Sequence, residues 1–187
     1  MSIYTRTGDA GETDSGIGTR LRKDSPLFEA LGTFDEFSCL LGLALGERLP
    51  EGFEGVIRRV QADLLRLGAL VIHGFDDRTE WIDDAVAAME TLVDELTARL
   101  EPLNAFVLPG PHRTSASLHL ARAVCRRAER RTVTFAEQKP GPGASAAIVY
   151  LNRLSDLLFT MARTAEAPKS ARQPSRRSSG DAKRCRI

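Results

Sequence analysis

Apolar residues recur along most of the chain at intervals of three and four. Leu27, Leu31, Phe34, Phe37, Leu41 and Ala44 form the first series. It is opened by Asp24-Ser25-Pro26, an N-cap with a proline just inside the start, and predicts a helix to about Arg48. After Pro50-Glu51-Gly52, the positions Val56, Val60, Leu64, Leu67 and Val71 predict a second helix ending near Gly74. A turn at Asp76-Asp77-Arg78-Thr79 leads to Ile82, Val86, Met89, Val93, Leu96 and Leu100, a third helix closed by Pro102. A fourth runs from about Thr114 into Phe135. Past the turn Lys139-Pro140-Gly141-Pro142-Gly143, a fifth carries Ile148, Leu151, Leu154, Leu158 and Met161. No segment alternates convincingly as a strand does. Five amphipathic helices with mostly short connections predict an all-α fold, a five-helix antiparallel bundle.

Three stretches fall outside this pattern. Residues 1–23 hold Gly8, Gly11, Gly16 and Gly18 among hydroxyls and acids and predict a Gly-rich N-terminal loop. Leu103 to Pro111 is a loop too apolar for a casual surface connection, and Pro109 and Pro111 limit its freedom to collapse inward, so Phe106 is expected to cover something apolar. Packing Phe106 onto its own bundle end is the plain alternative. From Ala167 onward, seven Lys/Arg stand against one acid among Pro, Ser and Gly, a composition that predicts a basic disordered tail. The tail is about +6, so the formal +1 of the whole chain leaves a body of about −5. The expected division is a helical domain over 1–166, with 1–23 as its N-terminal segment, and a tail over 167–187.

With 187 residues, 42% hydrophobic and 27% charged, the chain reads as one soluble domain. Collagen, wholesale disorder and a strongly charged nucleic-acid binder are excluded. No apolar run approaches the roughly 18 residues of a membrane span, and the start lacks the apolar stretch of a secretory signal, so a cytoplasmic location is expected, without membrane or nucleic-acid partners. Cys39, Cys125 and Cys185 are too few and too far apart for a disulfide framework or a CxxC knuckle.

Candidate chemistry lies in three places. The N-terminal glycines, with the hydroxyls of Thr5, Thr7, Thr13 and Ser15 and the cations Arg6, Arg20, Arg22 and Lys23, suit a phosphate cradle, though neither Walker A nor Rossmann spacing is present and a flexible arm has the same composition. Arg122, Arg126 and Arg130 stack at i, i+4 and i+8 with Arg127, Glu129 and Arg131 beside them, a cationic ridge that asks for a bound anion or for acids on neighbouring helices. Asn152, next to Leu151 and one turn before Asp156, suits a polar contact within the bundle or at a subunit interface. The three histidines are scattered and form no ExxH pair, which argues against a di-metal bundle, and no metal ligand is assigned.

Taken together, IYTRTGDAGET at 3–13, Lys23-Asp24, EALGTFDEF at 29–37, FVLPG at 106–110, LARAVCRRAERR at 120–131 and YLNRLSDLLF at 150–159 resemble the PduO-type (human-type) ATP:cob(I)alamin adenosyltransferases. The motifs span nearly the whole body, in the family's order. The resemblance implies an enzyme that moves the 5′-deoxyadenosyl group of ATP to the cobalt of cob(I)alamin, working as a homotrimer with sites between subunits. It implies that Thr5, Arg6, Thr7, Gly8, Thr13, Asp14 and Lys23 bind ATP together with Arg126, Arg127, Glu129, Arg130 and Asn152. Arg126 and Phe106 are implied in catalysis, Phe106 beneath the corrin, and Asp35 with Arg122 as an interface pair. Mg²⁺, a reductase and a B12-dependent acceptor enzyme follow as expected partners. Asp14-Ser15-Gly16-Ile17-Gly18 stands where the family commonly has GLGGG, and Pro111 where it has a further glycine. A carrier module that binds cobalamin or nucleotide without turnover is the alternative from another class.

Overall fold

The structure, a computed structural model, describes residues 4–110 and 112–167. Residues 168–187 of the expected tail, Pro111 and the first three residues lie outside them. Five helices carry the fold: α1 Pro26–Leu45, α2 Phe53–Ile72, α3 Glu80–Thr97, α4 Arg113–Gln138 and α5 Ala144–Glu166. Each of the five predicted helices is present.

Side-chain pairs fix how the helices run. Glu36 and Glu29 of α1, and Glu47 just past its end, meet Arg127, Arg131 and Arg113 of α4, so those two helices are antiparallel. The Cys125 thiol donates to the Leu151 carbonyl and the Ser115 hydroxyl to Glu166, setting α5 antiparallel to α4. Gln61 donates to the Ser38 carbonyl across α1 and α2. α5 and α3 instead run parallel, with Trp81 edge-on to Tyr150 and Glu90 accepting from Arg153. α5 is the most enclosed element: twelve of its 23 residues are buried, among them Leu151, Leu154, Leu158 and Met161. That distribution follows from its contacts on several sides, where a surface helix buries one stripe.

Boundaries differ from the periodicity at three ends. α1 stops at Leu45 rather than Arg48, with Gly46 as its C-cap. α2 ends at Ile72, two residues before Gly74. α3 ends at Thr97, a turn before Pro102: proline has no N–H to bond the Ala98 carbonyl, and it disfavours helical geometry at Glu101. The turn before α5 packs tightly on the α2–α3 connection. A Cβ on Gly141 would come within 3.0 Å of the Gly74 and Phe75 carbonyl oxygens, so only glycine fits there without a shift.

The expectation of no strand is corrected. β1 Glu12–Asp14 pairs antiparallel with β2 Arg20–Arg22, in the register Glu12 to Arg22, Thr13 to Leu21 and Asp14 to Arg20. Three residues per strand are too few for alternation to be visible in sequence. The ribbon is held to the bundle through Leu21, which packs against the core.

Candidate active site

The N-terminal segment builds a polar surface from its own backbone. Arg20 donates to the Thr7 carbonyl at 2.7 Å and lies 3.7 Å from the Glu12 carboxylate, tying the segment before β1 to β2. The Thr5 and Thr7 hydroxyls are hydrogen-bonded to each other at 2.8 Å, and both residues are exposed. Asp14 accepts from the Gly16 N–H at 2.6 Å, which shapes the ribbon's turn. A Cβ on Gly8 would meet the Lys23 ammonium at 3.0 Å, so the missing side chain is what lets Lys23 lie against the segment. Arg6 has a positive φ of 61° and stacks its guanidinium 5.6 Å from the Tyr4 ring. Thr13 is half-buried opposite Leu21.

On α4 the arginines separate into two stripes. Arg127 and Arg131 turn toward α1 and pair with Glu36 and with Glu29, the latter at 3.3 Å. Arg126 and Arg130 are exposed and meet no carboxylate among the described residues, while Arg130 donates to the Arg126 carbonyl at 3.1 Å. The expected alternatives of bound anion and neighbouring acids therefore both apply, each to its own stripe. Residues one apart lie about 100° apart around a helix, which is why 127 and 131 reach α1 and 126 and 130 do not. Glu129 accepts from the Asn152 amide at 3.1 Å, joining α4 to α5 at the same level. Asn152 is exposed, so its expected polar contact is this helix–helix one, made at the surface of the bundle rather than in its core.

Arg122, the top of the exposed stripe, is half-buried, with its guanidinium 5.7 Å from the Phe159 ring and its Nε buried without a partner among the described residues. Asp35 is exposed and forms no ion pair among them. The expected pair does not form within one chain. Nor is Asp35 the buried charge its neighbours Phe34 and Phe37 suggest, because those rings turn into the core and leave it outside. His119, one turn before Arg122 on the α4–α5 seam, is buried with both ring nitrogens unpartnered among the described residues. Its ring lies 5.9 Å from Phe159. Burial lowers its pKa from the ordinary histidine value, and the nearby Arg122 charge lowers it further against the pull of Glu166.

Phe106 covers nothing. It is fully exposed and Leu108 is 84% exposed, with Leu103 half out, so an apolar surface faces away from the chain that carries it. Packing onto its own bundle end is thereby corrected.

The N-terminal segment and the α4–α5 face share no hydrogen bond or ion pair among the described residues. The structure gathers Thr5, Thr7, Gly8 and Lys23 in one place and Arg126, Glu129, Arg130 and Asn152 in another. Sequence reasoning missed Glu29 and Glu36, whose spacing of seven puts them on one helix face, and it read Arg20 as a phosphate cation where the structure shows it tying down backbone carbonyls. No activated nucleophile stands nearby: burial pushes the Cys125 thiol far up. Among the described residues no three His, Cys, Asp or Glu side chains converge as a metal site, and no helix is long and apolar enough to cross a membrane.

A family profile described as cobalamin adenosyltransferase matches residues 3–165. The human corrinoid adenosyltransferase MMAB is 38% identical over 172 residues, which cover 87% of this chain and 68% of that protein. A cobalamin adenosyltransferase from Cupriavidus metallidurans is 42% identical over 168 residues, covering 86% of each. Among solved structures, a phenylalanine-to-histidine variant of the PduO-type ATP:corrinoid adenosyltransferase from Lactobacillus reuteri, complexed with cobalamin and ATP, matches with a TM-score of 0.79 at 26% identity. The match covers 88% of this chain and 90% of that one.

Proposed function

This chain belongs to the cobalamin adenosyltransferase family, and from that premise we propose that ATP binds against the acid-free arginines of α4 and the glycine-rich N-terminal segment. The enzyme transfers the 5′-deoxyadenosyl group of ATP to the cobalt of cob(I)alamin, giving adenosylcobalamin and triphosphate. Cobalt(I) supplies the electron pair that forms the cobalt–carbon bond at C5′, and the C5′–oxygen bond breaks with its pair leaving on triphosphate. No side chain has to act as nucleophile or base. What the protein must supply is positive charge at the leaving group, in place before the reaction.

The observation that carries the site is the splitting of the α4 arginines. Four guanidinium groups stand within six residues, and two of them, Arg126 and Arg130, have no acid to neutralise them among the described residues. Like charges held one turn apart are unfavourable until an anion joins them, and a triphosphate is such an anion. In this reading Lys23, Thr5, Arg6, Thr7, Gly8, Thr13 and Asp14 close over the nucleotide from the N-terminal side. Arg127, Glu129 and Asn152 complete the α4–α5 side, with Arg127 held in place by Glu36. Among the described residues no three carboxylate, histidine or cysteine side chains converge, so they do not fit a protein-built Mg²⁺ cage.

Phe106 is proposed as the wedge beneath the corrin, excluding the lower axial ligand so that cobalt(II) becomes reducible. Its full exposure supports this, since a wedge against a ligand has to be free of its own fold. The exposed Asp35 and the buried Nε of Arg122, without a partner among the described residues, support a pair formed between chains in a homotrimer. A cytoplasmic setting, an electron-supplying reductase and a B12-dependent acceptor complete the proposal. The test is anaerobic conversion of ATP and cob(I)alamin by wild type, Arg126→Ala and Arg130→Ala. Steep losses in both variants support the site, and near wild-type turnover at saturating ATP removes that arginine from it.

A further inference from the structure

The side of the bundle formed by α2 and α3 is open in a way the reaction does not use. The two helices are consecutive in the chain, and a cavity of about 600 Å³ runs between them, floored by Tyr150 and Leu157 of α5. Gly55, Ala85 and Ala88 line it. Small residues between helices ordinarily let the backbones close, and native interiors leave few voids larger than a water molecule. Here they border a space in the range of roughly 300 to 1,000 Å³ typical of small-molecule sites.

The polar groups in the seam are ordered along it. At the end nearest the α2–α3 turn, Arg66 lies 3.9 Å from the centroid of the Trp81 ring and 3.7 Å from Asp63. Asp63 is only 4% exposed and accepts from the Tyr150 hydroxyl at 3.1 Å. Burial raises its pKa, opposed by that hydrogen bond and by the charges of Arg66 and Arg59. This cluster satisfies itself and caps the cavity. Two further lining residues have no ion pair among the described residues: Arg59 on α2 and Asp84 on α3, both exposed.

At 1.5 Å rise per residue from the Arg66–Trp81 contact, Asp63 and Asp84 both lie about 4.5 Å along the seam and Arg59 about 10.5 Å. Beyond Arg59 the lining turns apolar, with Val56, Met89 and Leu92. An acidic level, a cation next to it and an apolar end match one kind of ligand. We propose that the α2–α3 seam binds a zwitterionic α-amino acid with an aliphatic side chain. Its ammonium meets Asp84, its carboxylate meets Arg59, and its side chain enters the apolar end.

Isothermal titration of the full chain with L-leucine, isocaproate and isoamylamine tests this. The last two keep the aliphatic body and lack the ammonium and the carboxylate respectively. Leucine is expected to bind saturably, with each analogue roughly tenfold or more weaker, since each leaves one charged group unpaired. Arg59→Gln and Asp84→Asn should each weaken leucine by a similar factor while adenosylation turnover stays at the wild-type level, and Ala88→Leu should weaken it by filling the seam. No saturable heat up to about 10 mM leucine overturns the proposal. So does isoamylamine or isocaproate binding as tightly as leucine, or leucine affinity unchanged in both charge variants. Because Arg59 and Asp84 are exposed, their variants decide the matter even if Ala88→Leu fails to fold.

Discussion

Arg126 and Arg127 are adjacent in the chain and opposite in circumstance. Arg127 is engaged by Glu36, and Arg126 faces solvent without an ion pair among the described residues. Arg126→Ala is expected to cut adenosylation by about 10²-fold or more, the usual scale for losing one charge-stabilising donor. The far-UV circular dichroism should not change, because no intramolecular partner is lost. Phe106 obeys the same logic with an apolar group: its ring buries nothing in its own chain, so Phe106→Ala should leave the melting temperature where it is. The variant should show less four-coordinate cob(II)alamin by electron paramagnetic resonance. Turnover from cob(II)alamin should fall much more than turnover from preformed cob(I)alamin. An undiminished four-coordinate signal would remove the wedge role even if activity dropped.

At the scale of elements, the N-terminal ribbon depends on few contacts, and Arg20 makes two of them to backbone carbonyls, Thr7 at 2.7 Å and Glu12 at 3.4 Å. Removing it frees the segment that carries Thr5, Thr7 and Gly8. Arg20→Ala is expected to raise the KM for ATP by about tenfold with kcat less affected and the melting temperature nearly unchanged, the pattern of lost ground-state positioning. Unchanged KM would show that the ribbon orders without it. The α4–α5 seam has a different sensitivity, to pH. His119 is neutral in its buried site and its folded pKa lies below the ordinary 6.5. The unfolded chain therefore takes up this proton first, and the stability His119 contributes is present above 6.5 and lost as pH falls below it. Thermal melts should weaken between pH 7 and 5, and His119→Phe should flatten that slope. An identical slope in the variant would assign the acid sensitivity to carboxylates elsewhere.

For the whole molecule, the features left unsatisfied by a single chain point outward. The Nε of Arg122 is buried without a partner among the described residues, Asp35 is exposed without an ion pair there, and Phe106 and Leu108 present apolar surface. A second copy supplying Asp35 to Arg122 accounts for the first two together. Sedimentation of wild type is expected to report three chains, and Asp35→Asn to shift the distribution toward smaller species with weaker ATP binding. Exchanging the charges in the double variant Asp35→Arg with Arg122→Asp should recover part of the assembly lost in either single change, the signature of a direct pair. A fully active monomer at micromolar concentration would sink the interface-site reading.

The periodicity of apolar residues determined the five helices, because a 3.6-residue repeat records which face of each helix must leave water. The N-terminal motif, CRRAERR and LNRLSD were likewise enough to indicate the family, since chemistry carried by local segments is written locally. Other features depended on distance in the chain. The β1–β2 ribbon is set by pairing across a turn rather than by propensity in three-residue strands. Which arginines of α4 are neutralised was decided by the register of α1 against α4, where Glu29 and Glu36 lie roughly ninety residues or more before their partners. Asp35 stands beside two core phenylalanines and is exposed, and of the places open to Asn152 the structure takes a surface contact to Glu129, because neighbours in sequence occupy different sides of a helix. The cavity between α2 and α3 had no sequence signal at all. Its lining comes from α2, α3 and α5 together, so only the placement of α3 on α5 and of α2 on α1 opens the space.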